Sequence, residues 1–454
     1  MESNAVLLTN GSIHKKIIKF ALPIFWGNLF QQLYNIVDSL IVGNFVGRDA
    51  LAAISSTGSL IFLLVGLFSG IFMGAGVVIS KYFGAEEKGK VQKAIHTSIA
   101  FGILSGIILS IVGTILSPQI LSLMGTPESV FPQAVLYVRI YFGGILSVIL
   151  YNTASGIFQA VGDSKHPLYY LIVSSILNVI LDLLFVVGFK TGIGGAAVAT
   201  VISQAVSVIL AFCHLCRSKD IYRVTLTKIS LDFSMLKEIL HMGIPAGIQN
   251  SVIAIANIVV QSNINSFGAI AVAGCGAYSK IEGFAFIPIT SFAFAMTTFI
   301  SQNLGAKKYD RAKKGTYFGI AISLGLAELI GVIFFIAAPI LVSFFNKEPD
   351  VVGYGTLQAR TISLFFFLLA FSHCIAGILR GAGKSIVPMT VMLCCWCIFR
   401  VIYVTVATKI IPDIRVIFWA YPITWTLSSV IFLVYYLKFN WLHGFEKNKK
   451  PRAD

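Results

Sequence analysis

Charge is what this chain has least of. Asp, Glu, Lys and Arg make up 12% of its 454 residues, about half the 25% or so of an ordinary soluble domain. The deficit runs the whole length, which excludes a water-soluble globular protein. Acids are scarcest, 19 against 34 Lys and Arg, and no aspartate-rich stretch builds the diphosphate site of a membrane-embedded prenyl or glycosyl transferase. No Walker A motif is present, so ATP does not drive the protein directly, and an enzyme is not expected. Of the seven cysteines, Cys213 and Cys216 have the spacing of half a metal site, but no second pair matches them. Neither structural metal nor disulfide is expected, nor any cofactor. A cleavable signal is not expected either: the first apolar run is too long and lacks a small-residue cleavage site.

What fills the chain is apolar. Hydrophobic residues are 57% of it and the mean hydropathy is +0.86. Twelve runs recur at roughly 14–40, 50–78, 92–117, 132–154, 165–188, 193–217, 235–262, 271–302, 313–338, 354–377, 385–408 and 414–438, each long enough to cross a hydrocarbon core of about 30 Å. Without water to satisfy backbone groups, such runs must be helical. An all-α polytopic membrane protein follows.

The net charge of +15 is topology rather than a nucleic-acid surface. Lys15, Lys16, Lys19, Lys88, Lys90, Lys93, Arg217, Lys219, Arg223, Lys307, Lys308, Arg311, Lys313 and Lys314 all fall in alternate connections, while the others hold little beyond Arg48, Lys190, Lys347, Lys409 and Arg415. That bias predicts both termini in the cytoplasm of a protein in the cell (inner) membrane.

The second half echoes the first. ISKYFGAEEKG at 79–89 lines up with ISQNLGAKKYD at 300–310, and ASGIFQAVGDSKHP at 154–167 with IAGILRGAGKSIVP at 375–388. Two parallel six-helix repeats are expected around a central cleft, since an even number of crossings keeps both halves in the same sense. The expected organisation is an N-terminal lobe at 1–220, a cytoplasmic linker at 221–233, a C-terminal lobe at 234–440 and a basic tail at 441–454.

Several of these stretches together carry a resemblance. FALPIFWGNLFQQLYNIVDSLIVG, SKYFGAEE, FQAVGDSKHP and YSKIEGFAFIP with SQNLGAKKYDRAKK, in register over the full length, resemble the multidrug and toxic compound extrusion (MATE) family. The resemblance implies cation-coupled export of bulky organic compounds, often cationic or amphipathic, by a protein expected to be monomeric in membrane lipid, with no nucleic-acid partner.

A polar constellation in the first half is the candidate site. Asn28, Gln31, Asn35 and Asp38 share one helix face, with Tyr34 beside them, and Asn178 and Asp182 are four apart on another helix. At about 1.5 Å per residue, Asp38 and Asp182 lie roughly 25 and 22 Å from the cytoplasmic boundary and Thr200 roughly 9 Å below the outer one, so the levels coincide. Two carboxylates close together in a low dielectric cannot both ionise cheaply, so one proton is retained. Carboxylates, an amide oxygen and a hydroxyl are equally hard ligands of the kind Na⁺ accepts, and H⁺ and Na⁺ both stay open. Related MATE members with an acid on the first helix and Asn-x-x-x-Asp on the fifth place their coupling site here. The alternative, that the acids merely lock the bundle, is weakened by the repeat, which puts Val260, Phe399 and Tyr403 at the places of Asp38, Asn178 and Asp182.

Other features are candidates of a lesser kind. Asn250, Asn257 and Gln261 form an uncharged stripe for substrate or interhelical bonding. Neutralisation of Glu282 by Arg400 or Lys280 is expected, since unpaired intramembrane charge is costly. Pro288 should kink its helix, and with Gly66, its repeat partner, is a candidate hinge. The leading expectation is a secondary active multidrug exporter coupled to H⁺ or Na⁺. The alternative is a flippase for a lipid-linked sugar precursor, against which twelve helices and few intramembrane arginines argue.

Overall fold

The computed structural model describes residues 7–445, so the basic tail residues Lys447, Lys449, Lys450 and Arg452 lie outside the described residues. Fifteen α-helices follow one another among these residues: α1 Ile13–Phe45, α2 Arg48–Gly84, α3 Lys88–Leu123, α4 Phe131–Gly143, α5 Ile145–Ala160, α6 Lys165–Asp182, α7 Gly192–Arg217, α8 Phe233–Asn265, α9 Ala269–Gly305, α10 Tyr309–Ser343, α11 Pro349–Ile362, α12 Phe366–Gly381, α13 Ile386–Met392, α14 Arg400–Ile410 and α15 Ile414–Lys438.

Ten helical stretches are long and apolar enough to cross a membrane, and an eleventh is α4 with α5, bent by 48° between them. This makes a multi-pass membrane protein. The 33-residue α1 is not among the ten, because Asn28, Gln31, Gln32, Asn35 and Asp38 lower its mean hydropathy. Lipid-facing surface is plain on α3, where Leu104, Ile107, Ile108, Ile111 and Ile115 are exposed at helical spacing. Leu329, Ile333, Ile336 and Ile340 do the same on α10.

The sequence echo has a backbone counterpart. Both α1 and α8 have 33 residues, and α2 and α9 both have 37. Gly47 before α2 and Gly268 before α9 have φ of 117° and 93°, and the turns after those helices place Glu86 and Lys307 at 57° and 56°. A side chain in the left-handed region is uncommon; two at matching places mark one turn used twice.

By packing, the chain forms two compact units, one of Leu22–Gly247 and the other of Leu8–Ala21 with Ile248 onward. The division falls inside α8, and residues 221–233 pack with the first unit. There α2 and α8 approach backbone to backbone: a Cβ on Gly70 or Gly74 would overlap the main chain at Gly247 or Gly243. The small residues permit contact that larger ones would forbid. In the second unit, residues 8–11 are strapped down. Leu8 N–H donates to Gln302 Oε1 at 2.9 Å, and Arg311 donates to the carbonyls of Leu8, Asn10 and Gly11 at 2.7–3.1 Å. Two of the cations expected only to set topology, Lys308 and Arg311, therefore also hold backbone.

Candidate functional site

Asp182 ends α6, and a π-helical turn, Leu183–Gly188, follows it at once. Such turns insert an extra residue and often sit at functional positions. Asp182 is fully buried and Asn178, one turn earlier, is 2% exposed; both face the interior of the first unit. The polar stripe of α1 brings Asp38, half-buried, within direct interacting distance of Asp182.

What these groups share is unmet bonding capacity. Apart from the contact of the two carboxyls with each other, Asp38 Oδ1, both Asp182 oxygens and both polar atoms of Asn178 have no hydrogen-bond partner. Buried polar atoms are normally satisfied, and a cluster that is not calls for an explanation. Tyr34 on α1 and Tyr137 on α4 lie within electrostatic reach of both carboxyls, and Tyr137 stacks on Tyr141 with centroids 6.3 Å apart. Tyr137 and Tyr141 were not singled out from the sequence. Their spacing of four was visible there, but which face of α4 turns inward was not.

The other expected residues divide. Thr200 on α7 donates to its own helix, to the Ala196 carbonyl at 3.0 Å, rather than to an acid. Gln31 and Asn35 are exposed and Asn28 is half-buried. Farther along, Gln261 is exposed and its Nε2 donates to Asn265 Oδ1 at 2.9 Å; Asn250 and Asn257 are half-buried and exposed respectively.

Glu282 makes no salt bridge within 4.0 Å with Arg400 or Lys280, although Arg400 lies within electrostatic reach of it. Its carboxyl accepts from Tyr278 Oη at 3.3 Å. Arg400, 3% exposed, donates from Nε and Nη2 to Thr424 Oγ1 at 3.3 and 2.9 Å. Its guanidinium lies 4.5 Å from the Tyr421 ring centre and 5.7 Å from that of Trp396. Its direct contacts are thus aromatic faces and a hydroxyl, with the carboxylate farther off. Lys280 instead stands 5.7 Å over the Phe345 ring. A second π-helical turn, Leu393–Phe399, runs directly into Arg400. The helix α9 continues unbroken through Pro288, and Gly66 lies half-buried in α2. An intramembrane acid not singled out from the sequence, Glu328, sits half-buried on α10 with Oε2 unpartnered.

Comparison with known proteins agrees with this architecture. A family model, MatE, matches residues 23–184 and again residues 245–406. A probable multidrug resistance protein of Bacillus subtilis, YoeA, is 28% identical over 95% of this chain and 94% of its own length. The probable multidrug resistance protein NorM of Thermotoga maritima is 26% identical over 84% and 82%. Among solved structures, a MOP superfamily transporter from Pyrococcus furiosus superposes with a TM-score of 0.90 at 21% identity, covering 96% of this chain and 98% of that one. An outward-facing MATE family transporter of the same superfamily gives 0.89 at 21%, over 96% and 97%.

Proposed function

The chain belongs to the MATE family of transporters, and on that premise we propose that it is a secondary active multidrug exporter that exchanges H⁺ or Na⁺ for organic, often cationic or amphipathic, compounds. The observation that carries this reading is the buried carboxyl pair of Asp38 and Asp182, which no other residue satisfies, with the unpartnered amide of Asn178 one turn away. Relatives named for multidrug resistance support the substrate class.

The chemistry needs only these groups. Two carboxylates at interacting distance repel when both are ionised, and a proton or a hard cation between them removes the repulsion. Ion binding therefore favours arrangements of α1 against α6 that close the carboxyls together. Export against a gradient follows if that arrangement binds substrate poorly, so that ion and substrate stabilise opposite states. Asp38 and Asp182 are the coupling pair in this scheme, Asn178 contributes its amide oxygen, and Tyr34 and Tyr137 line the pair. Counting α1 and the bent α4–α5 span with the ten gives twelve crossings, with both termini in the cytoplasm and the protein acting as a monomer in the cell membrane.

Dye efflux from proteoliposomes tests this, with an imposed proton or an imposed sodium gradient and with wild type beside Asp38→Asn. Efflux driven by one gradient and lost in the variant identifies the ion. Efflux that persists in a well-inserted variant removes Asp38 from the mechanism.

A further inference from the structure

Away from that site, the first unit holds a cavity of about 590 Å³ where the connection between α7 and α8 folds back over the start of α3. Four cations line it, Lys88, Lys93, Arg223 and Lys228, against two acids, Asp220 and Asp232. Asp232 is engaged by Lys93, at 2.7 Å. Among the described residues no carboxylate lies within ion-pair distance of Lys88, Arg223 or Lys228. Three cations without an ion-pair partner converge on one space.

The walls are fixed by specific bonds. His96, 4% exposed, has Nδ1 2.7 Å from the Gln92 carbonyl, and its Nε2 accepts the Thr225 N–H at 3.1 Å. Gln92 Nε2 donates to the carbonyls of Ile221 and Arg223, and the Asp232 N–H donates to Thr97 Oγ1 at 3.3 Å. A second observation indicates where the ligand comes from. On the same connection Leu226 is 64% exposed, and Phe233 at the start of α8 is 79% exposed. Large apolar side chains bare to water beside cations are the pattern of a segment lying in the lipid interface.

We propose that this cavity binds the phosphate of an anionic phospholipid headgroup, with Lys88, Arg223 and Lys228 as its cationic ligands and Leu226 and Phe233 in the adjoining acyl region. Zwitterionic lipids offer the same phosphate but carry their own ammonium into a cavity already rich in cations, so the site discriminates by net charge.

The test uses the full chain reconstituted in phosphatidylcholine vesicles, with spin-labelled phosphatidylglycerol or phosphatidylcholine as probe and the motionally restricted fraction as readout. Wild type is expected to retain phosphatidylglycerol preferentially, and each cation removed should lower the preference about fivefold. Lys88→Gln, Arg223→Gln and Lys228→Gln together should abolish it. Lys219→Gln, on the same connection but not lining the cavity, should leave it unchanged, and Lys228→Arg should keep it. Equal retention of the two lipids by wild type overturns the proposal, as does a triple variant that keeps the preference. Loss of the preference in millimolar inorganic phosphate would show a soluble phosphate site and overturn the lipid assignment. If the triple variant does not fold, graded loss in the single variants decides the matter.

Discussion

Asp182 meets Asp38 carboxyl to carboxyl, and no other residue donates a hydrogen bond to either Asp182 oxygen. In a purely structural acid pair this would be a cost without return, since each buried unsatisfied acceptor loses about 1–3 kcal/mol. Replacing either acid by its amide should therefore leave the fold intact or firmer while ending transport. Asp38→Asn and Asp182→Asn are expected to unfold at or above the wild-type temperature in detergent, with gradient-driven efflux reduced more than about tenfold, the loss of roughly 1.4 kcal/mol or more of coupling. A lower unfolding temperature together with preserved efflux would reverse the assignment.

Asn178 and Thr200 differ in how their polar atoms are met. Both polar atoms of Asn178 are unpartnered and buried, whereas the Thr200 hydroxyl is satisfied by Ala196. Asn178→Leu should weaken coupling-ion affinity about tenfold, the worth of one oxygen ligand near 1–1.5 kcal/mol, and Thr200→Val should change it little. Ion-dependent tryptophan fluorescence or calorimetry distinguishes the two. A stronger effect at Thr200 than at Asn178 would mean that the hydroxyl leaves its helix to join the ion.

The constellation was half legible in the sequence. Periodicity alone places Asn28, Gln31, Asn35 and Asp38 on one face of α1, and rise per residue puts Asp38 level with Asp182. Which residues of α4 turn toward them depends on the α4–α5 bend, and that bend lies at a Gly pair. A Cβ on Gly144 would overlap Val201 of α7, a constraint written in tertiary contacts. The direct contacts of Arg400 were hidden for a related reason. Charge counting suggests a carboxylate partner, but Tyr421, Trp396 and Thr424 come from places a linear reading does not join.

Those partners make their own prediction. Because Glu282 and Arg400 interact at a distance and not in a direct salt bridge, Glu282→Gln should cost well under the roughly 3–5 kcal/mol of breaking a buried pair. Thr424→Val should destabilise by about 1.5–3 kcal/mol, as it removes the acceptor of a charged donor. Thermal unfolding of the two variants in one detergent makes the comparison, and a larger loss at Glu282 would reinstate the ion pair.

Close packing of α2 on α8 yields a contrast between glycines. At Gly74 an added Cβ meets the main chain at Gly243, which cannot yield as a flexible side chain would, whereas Gly276 on α9 has nothing within 4 Å. Gly74→Val should cost at least about 1–3 kcal/mol through overpacking. Gly276→Ala should be neutral or stabilising by up to about 1 kcal/mol, because glycine is a poor helix former.

The Asp232 side chain ties the α7–α8 connection to α3, and its ionisation sets a pH limit on that tie. Lys93, first, and then the Met235 N–H hold its carboxyl below the ordinary carboxylate range. A depressed value in the folded state means that the contribution is complete above the unfolded value, about 3.9. It fades as pH falls through the lower folded value. Amide exchange at Met235 is therefore expected to need no correction for Asp232 titration across neutral pH, and to rise only below about pH 4. Asp232→Asn should already exchange faster at neutral pH and lose the acid-dependent step. The difference between the two proteins isolates Asp232. Identical exchange profiles for the two would show that backbone contacts alone hold the connection in place.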